Sequence, residues 1–288
     1  PKNGGFNQEQ LLEIMYDNKD AGAKLGVLFE RRSADLSVTS DAVNSAWNTA
    51  LCNGAATCVA TGGMKYERTN FFLGRQWEEF GFQIEGGFQK AKTGVYASGT
   101  QVEMDGYGIA AELKYKKAES KVGYDLNFGM ASGDNPGSTK YEAYQFDRNY
   151  DVAMLMFNHR LGQKDFLNTN LIKDSNLTTG NSFDDEAISN VGYLSFKINH
   201  DWKERWKFGY TLTTAQLMTK LTSGSDMKKD LGIELDAEVV YFPREKVQWL
   251  NQIGFLMPGK AFKNGTGAGG DLGSGTAFGF ASKAAISF

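Results

Sequence analysis

What the sequence lacks narrows the field first. It contains no run of about 18 apolar residues, so none of its segments can cross a bilayer as a helix. A formal charge of −3 leaves no basic surplus, and nucleic-acid binders carry a Lys/Arg footprint. Histidine and cysteine number only 2 each, and their spacings cannot assemble a zinc quartet. No recognised serine or metal motif is present, so we expect no cofactor, no metal, no nucleic-acid partner and no enzymatic activity. Proline is scarce too, at 4 in 288 residues. Because proline breaks central strands, nearly the whole length remains available to sheet. The opening PKNGGFNQEQ has no basic start and no apolar stretch. An exported form would therefore have lost its leader, or the chain is part of a longer one.

What is present is alternation. In a strand, successive side chains point to opposite faces, so a period of two separates an apolar face from a polar one. Phe80, Phe82, Ile84 and Phe88 oppose Gly81, Gln83, Glu85 and Gln89. Val122, Tyr124, Leu126, Phe128 and Met130 oppose Lys121, Gly123, Asp125 and Asn127. The same holds for 24–32, 66–77, 105–116, 194–199, 205–214, 230–241, 247–255 and the final stretch Ala277 to Phe288. About ten strands result, forming an all-β chain.

The connections alternate as well. Short ones (78–79, 117–120, 201–204, 243–246) take turns with long ones at 36–65, 91–104, 133–187, 219–229 and 258–275. Trp77, Trp202, Trp206 and Trp249 lie at or near short-turn ends, and with Phe288 they read as an interfacial aromatic girdle. Residues 1–22 stay open. Within them, 7–18 reads either as an extra strand or as a helix capped by Asn7 with Gly22 as its stop. The tract YDVAMLMFNHRLG (150–162) is apolar enough for a strand, but no good partner follows. It reads as part of one long loop, folded inward or paired as a hairpin above the sheet.

The polar parity carries Arg32, Arg68, Lys114, Lys121, Arg205, Lys207 and Lys283 with Glu85, Glu112, Asp125, Asp230, Glu234, Asp236 and Glu238. A charge facing lipid costs up to ~2–4 kcal/mol at the midplane, so these residues face inward and line a lumen. They either pair with one another or set a field across a channel. The glycines of the same parity, among them Gly81, Gly87, Gly108, Gly129 and Gly279, fit barrel curvature or the close approach of an inserted loop. Cys52 and Cys58 lie close enough in sequence for a local disulfide in an oxidising envelope. His159, following Asp147, Arg148 and Asp151, leaves a surface hydrolase as the least favoured reading.

Two resemblances point the same way. The terminal stretch AFGFASKAAISF resembles the closing strand of bacterial outer-membrane β-barrels, with an aromatic end and apolar residues at alternate positions. The tract FDRNYDVAMLMFNHRLG (146–162), preceded by GMASGDNP (129–136), resembles the loop region of alginate-export-type barrels. That second resemblance implies a wide channel with an arginine-rich lumen and an inward loop. This polar face has as many acids as bases, which departs from such a lumen. The expectation is an antiparallel transmembrane β-barrel of the bacterial outer membrane over 23–288, with ten strands, or eleven within a larger barrel. Its function would be porin-like passage of small hydrophilic solutes. The alternative is a closed barrel whose loops dock a partner. Its expected surroundings are outer-membrane lipid and lipopolysaccharide, with another envelope protein or barrel chain as a further partner.

Overall fold

The computed structural model describes residues 7–34, 59–60, 63–97, 100–135, 137–147, 149–157, 187–220, 228–262 and 275–287. Its elements in chain order are β1 (Asn7–Asn18), β2 (Ala23–Ala34), β3 (Val59–Ala60), β4 (Met64–Gln76), β5 (Phe80–Ala97), β6 (Thr100–Tyr115) and β7 (Val122–Ala131). Then follow β8 (Lys140–Tyr141), β9 (Val191–Lys203), β10 (Trp206–Leu217), β11 (Asp230–Arg244), β12 (Val247–Pro258), a 3-10 turn (Lys260–Phe262) and β13 (Ala277–Ile286). One sheet takes the order β1-β2-β4-β5-β6-β7-β9-β10-β11-β12-β13, and each neighbouring pair is antiparallel. The short β3 joins β5, and β8 runs parallel to β6.

The open choice at 7–18 resolves as a strand. Every residue of β1 pairs with β2, from Asn7 with Ala34 to Asn18 with Ala23. The tight turn between them ends at Gly22, whose φ of 60 is left-handed. A Cβ there would overlap the Gln76 carbonyl, so glycine is the residue this turn accepts. The expected loop 91–104 is a correction. Here β5 runs on to Ala97 and β6 begins at Thr100. The large apolar residues stop alternating at this height, so parity gave no signal although the ladder continues. Thr93 Oγ1 donates to Val102 O at 2.6 Å inside this extension.

The two faces are inverted relative to a soluble sandwich. The apolar parity is solvent-accessible along the whole sheet: Phe88 is 56% exposed, Tyr210 52% and Phe280 64%. No element packs on it among the described residues. A soluble monomer rarely exposes so large an apolar surface, whereas a lipid-facing one must. The buried cluster lies on the other side, where Val152 to Phe157 meet Val191, Tyr193, Leu217, Leu231 and Leu256.

That segment also reports curvature. From Tyr144, which meets Arg68 on β4, to Leu155, which meets Gly279 on β13, the chain is interrupted by turns. A flat sheet would separate β4 from β13 by eight strand spacings, roughly 38 Å, about the reach of the same segment fully extended. A folded segment touches both only if the sheet wraps around it. The sheet is a curved antiparallel wall, apolar on its convex face and polar on its concave one, as in the wall of a transmembrane β-barrel. Among the described residues no pairing joins β1 to β13.

Candidate functional site

The site is the concave polar face together with the strap 142–157 that crosses it. The strap starts where β7 ends. Ser132 Oγ donates to Glu142 O at 2.6 Å, and Tyr144 N donates to Ser132 O at 2.9 Å. Asp134 accepts from Glu142 N nearby; burial raises its carboxyl above the usual range, against the lowering effect of that N–H. Gln89 Nε2 then holds Ala143 O at 2.8 Å, and Phe146 N reaches Ile188 O at 3.0 Å.

The second half of the strap docks on β9 to β13. Val152 O accepts from Ser195 Oγ at 3.2 Å and from Thr213 Oγ1 at 3.0 Å. Three successive N–H groups then converge on two carboxylates. Met154 N donates to Asp236 Oδ2 at 3.2 Å, Leu155 N to Glu234 Oε1 at 2.5 Å and Met156 N to Glu234 Oε2 at 2.7 Å. Carboxyl groups buried without partners would be costly, and these three N–H donors offset that cost. Beneath them, a Cβ at Gly279 would overlap Leu155, so glycine here permits close approach of strap to wall. The inserted-loop reading of the polar-face glycines therefore applies at Gly87, Gly108, Gly254 and Gly279, each of which a strap side chain covers.

The first half of the strap touches its wall at Tyr144 and Phe146, over Gly87 and Gly108, and leaves space beside these contacts. Between it and β4, β5 and β6 lies a cavity of about 480 Å³, lined by Arg68, Asn70, Gln83, Glu85, Gly86, Gly108, Ala110, Glu112, Tyr144, Phe146, Asp147, Asn149 and Tyr150. Arg68 is fixed, with Nε to Asn70 Oδ1 at 2.9 Å and Nη2 to Tyr144 OH at 3.1 Å. Glu112 accepts from Gln83 at 2.9 Å and pairs with Lys114 at 3.3 Å. Glu85 is exposed into the cavity with no hydrogen bond or ion pair among the described residues. Tyr150 closes the far side, its hydroxyl 2.7 Å from that of Tyr193. Burial pushes the Tyr150 phenol up to about 12, against the lowering effect of the Tyr193 hydrogen bond, so it stays neutral through physiological pH.

The sequence-predicted residues separate into groups. Arg68, Glu85 and Glu112 meet at this cavity. Lys114 and Asp125 pair in register on the same face, and Asn199 donates to Asp125 at 2.8 Å. Glu238 pairs with Lys197 at 2.6 Å across Gly209, while Lys207 faces Asp201 at 3.7 Å. Glu234 is 0% exposed and holds the strap, so it does not face open water. Arg205 lies in the β9–β10 turn and donates to Pro243 O at 3.3 Å, outside the wall strands. Asp230 caps the start of β11, accepting from Gly232 N and Lys260 N. Arg32 pairs with Glu9 at 3.2 Å and with Glu30. Lys121 and Lys283 are exposed.

Trp77, Trp202, Trp206 and Trp249 stand on the apolar face at the short-turn end. Trp206 stacks on Tyr241 at 4.4 Å, and Trp249 Nε1 donates to Ser282 Oγ at 2.8 Å. Phe288, the Cys52–Cys58 pair and His159 lie outside the described residues. His200 is on the apolar face, 6.5 Å from Phe208, away from the cavity. Among the described residues no three His, Cys, Asp or Glu side chains gather as metal ligands. Sequence reasoning did not identify the Ser195–Thr213 pair, Tyr144 or Tyr193. The apolar run 152–157 was the available signal, marking a segment that needs a dry surface to lie on.

No protein-family model matches the sequence, and no curated protein matches it. Solved structures with a similar arrangement include OccK11 (OpdR) of Pseudomonas aeruginosa, with a TM-score of 0.40, 9% identity, and 99% of this chain and 71% of that one covered. A monoaromatic hydrocarbon channel, CymD, gives a TM-score of 0.35 at 9% identity over 87% of this chain and 69% of that one. CdiB from Acinetobacter baumannii gives 0.33 at 8% identity over 98% of this chain and 50% of that one. At these scores no residue role is carried across.

Proposed function

We propose that the chain forms a passage for small hydrophilic solutes through the bacterial outer membrane, the solutes moving between strap and wall on the β4–β6 side. The observation that carries this reading is the cavity of about 480 Å³, bounded by polar and charged groups on a sheet whose opposite face is apolar. Selection would rest on the width left beside the strap and on lumen charge, with Arg68, Glu85 and Glu112 as its lining and no bond made or broken. Lys114, Lys121, Asp125, Lys207, Glu238 and Lys283 extend that polar lining along the wall.

In this reading the apolar face and its tryptophans meet lipid and lipopolysaccharide, with the short turns toward the periplasm and the long loops outside. Strand direction constrains closure. Eleven antiparallel strands leave β1 and β13 pointing the same way, so an odd number of further strands is needed for an antiparallel seam. Both edge strands are exposed on both parities, with Leu12 at 56% and Met15 at 65% on β1, as edges awaiting partners would be.

One observation favours a second reading. On the β9–β12 side the strap packs against the wall, burying its Phe157 together with Leu231 of β11 and Leu256 of β12, so closing the remaining gap would give a sealed barrel that binds through its loops. Swelling of liposomes containing the folded protein in isosmotic sugar or amino-acid solutions separates the two. Influx faster than in protein-free liposomes is expected; rates equal to theirs, from protein shown to be inserted, sink the passage.

A further inference from the structure

Building on the reading of this cavity as the solute path, we infer that it contains a subsite for small organic cations of the quaternary-ammonium type. Three observations meet there. The first is an aromatic row on the strap: Tyr144 packs edge-on to Phe146 at 6.1 Å, and Phe146 edge-on to Tyr150 at 5.7 Å. Aromatic faces attract cations through their quadrupole, best where water is partly excluded. All three rings line the cavity.

The second is that this row already seats a cation. The Arg68 guanidinium lies over the Tyr144 ring, 5.6 Å from its centroid. Tyr144 is thereby occupied, while Phe146 and Tyr150 have no cation over them among the described residues.

The third is an uncompensated charge opposite. Glu85 has no partner among the described residues, whereas Glu112 beside it is held by Gln83 and Lys114. On the strap side, Asp147 uses Oδ1 for Asn149, and its Oδ2 has no hydrogen bond among the described residues. A methylated ammonium has no N–H to offer a hydrogen-bond acceptor. It needs a diffuse negative charge with ring faces around it, which is what Glu85, Asp147, Phe146 and Tyr150 supply together. The volume is within the range of small-molecule pockets.

The test is a titration of choline, and separately of tetramethylammonium, into the full chain folded in detergent micelles, read by saturation-transfer NMR and calorimetry. Saturable binding is expected, weakened at least tenfold by Glu85→Gln and by Tyr150→Leu. The neutral isostere 3,3-dimethyl-1-butanol should bind at least tenfold more weakly than choline. Heat-dependent gel migration verifies that each variant is folded, and Phe146→Leu replaces Tyr150→Leu if the latter is not. Three results overturn the inference: no saturable binding, binding unchanged by both substitutions, or equal binding of the neutral isostere. The outcome is independent of solute passage. Choline binding without liposome influx removes the passage and keeps the subsite, and influx without choline binding does the reverse.

Discussion

The two sides of the polar face treat the same kind of residue in opposite ways. On β9 to β13, Glu234 and Asp236 are covered by the strap and accept hydrogen bonds from three of its N–H groups. On β4 to β6, Glu85 and Glu112 face a cavity, and Glu85 has no partner among the described residues. Both sets belong to one alternating pattern of polar residues. The difference is the strap: its run from Val152 to Phe157 is apolar and needs dry wall, while Tyr144 to Tyr150 is amphipathic and can border water. A carboxylate's role in this wall is therefore set by which half of the strap passes over it.

Four substitutions test that contrast, in falling order of effect on stability. Leu155→Ala removes a buried side chain from the docked half and should cost about 2–4 kcal/mol, seen as a lower thermal midpoint. A change near zero would mean that the strap is not packed there. Glu234→Gln keeps the volume but turns one acceptor oxygen into a donor facing an N–H. It should cost roughly 1–3 kcal/mol and speed amide exchange at Leu155 and Met156. Unchanged protection of those two amides would break the docking account.

Tyr193→Phe removes the hydrogen bond between Tyr150 on the strap's first half and β9 and should cost about 0.5–1.5 kcal/mol. Last, Glu85→Gln should leave the thermal midpoint within about 0.5 kcal/mol of wild type, because the carboxylate stabilises nothing. It should nevertheless lower the preference for cations over anions, measured as a shift in reversal potential under a salt gradient. A midpoint that falls as far as that of Glu234→Gln would erase the distinction between the two sides.

Much of the wall was legible in the sequence because its physics is local. Phe80, Phe82 and Ile84 opposing Gly81, Gln83 and Glu85 give both strand and facing, and the short turns give the order. Where apolar alternation fades above Ala91, the ladder of β5 and β6 continues unannounced, since backbone pairing needs no particular side chain. Residues 7–18 were undecidable alone: NQEQLLEIMYDN satisfies helix and strand templates alike, and pairing with β2 decides between them. The strap was half visible. Its apolar run and the polar-face glycines were signals without an address, because which strands it crosses depends on contacts far apart in sequence. For the same reason Glu234 and Glu85 looked alike: parity gives the face a residue points to, not what covers that face.

Planar-bilayer conductance tests the central claim most directly, comparing the wild-type chain with one in which 144–157 is replaced by a short Gly-Ser linker. A strap that occupies one side of the lumen and leaves the other open predicts a steady current from wild type and a several-fold larger one without the strap. No current from either folded protein, or equal currents from both, would contradict it.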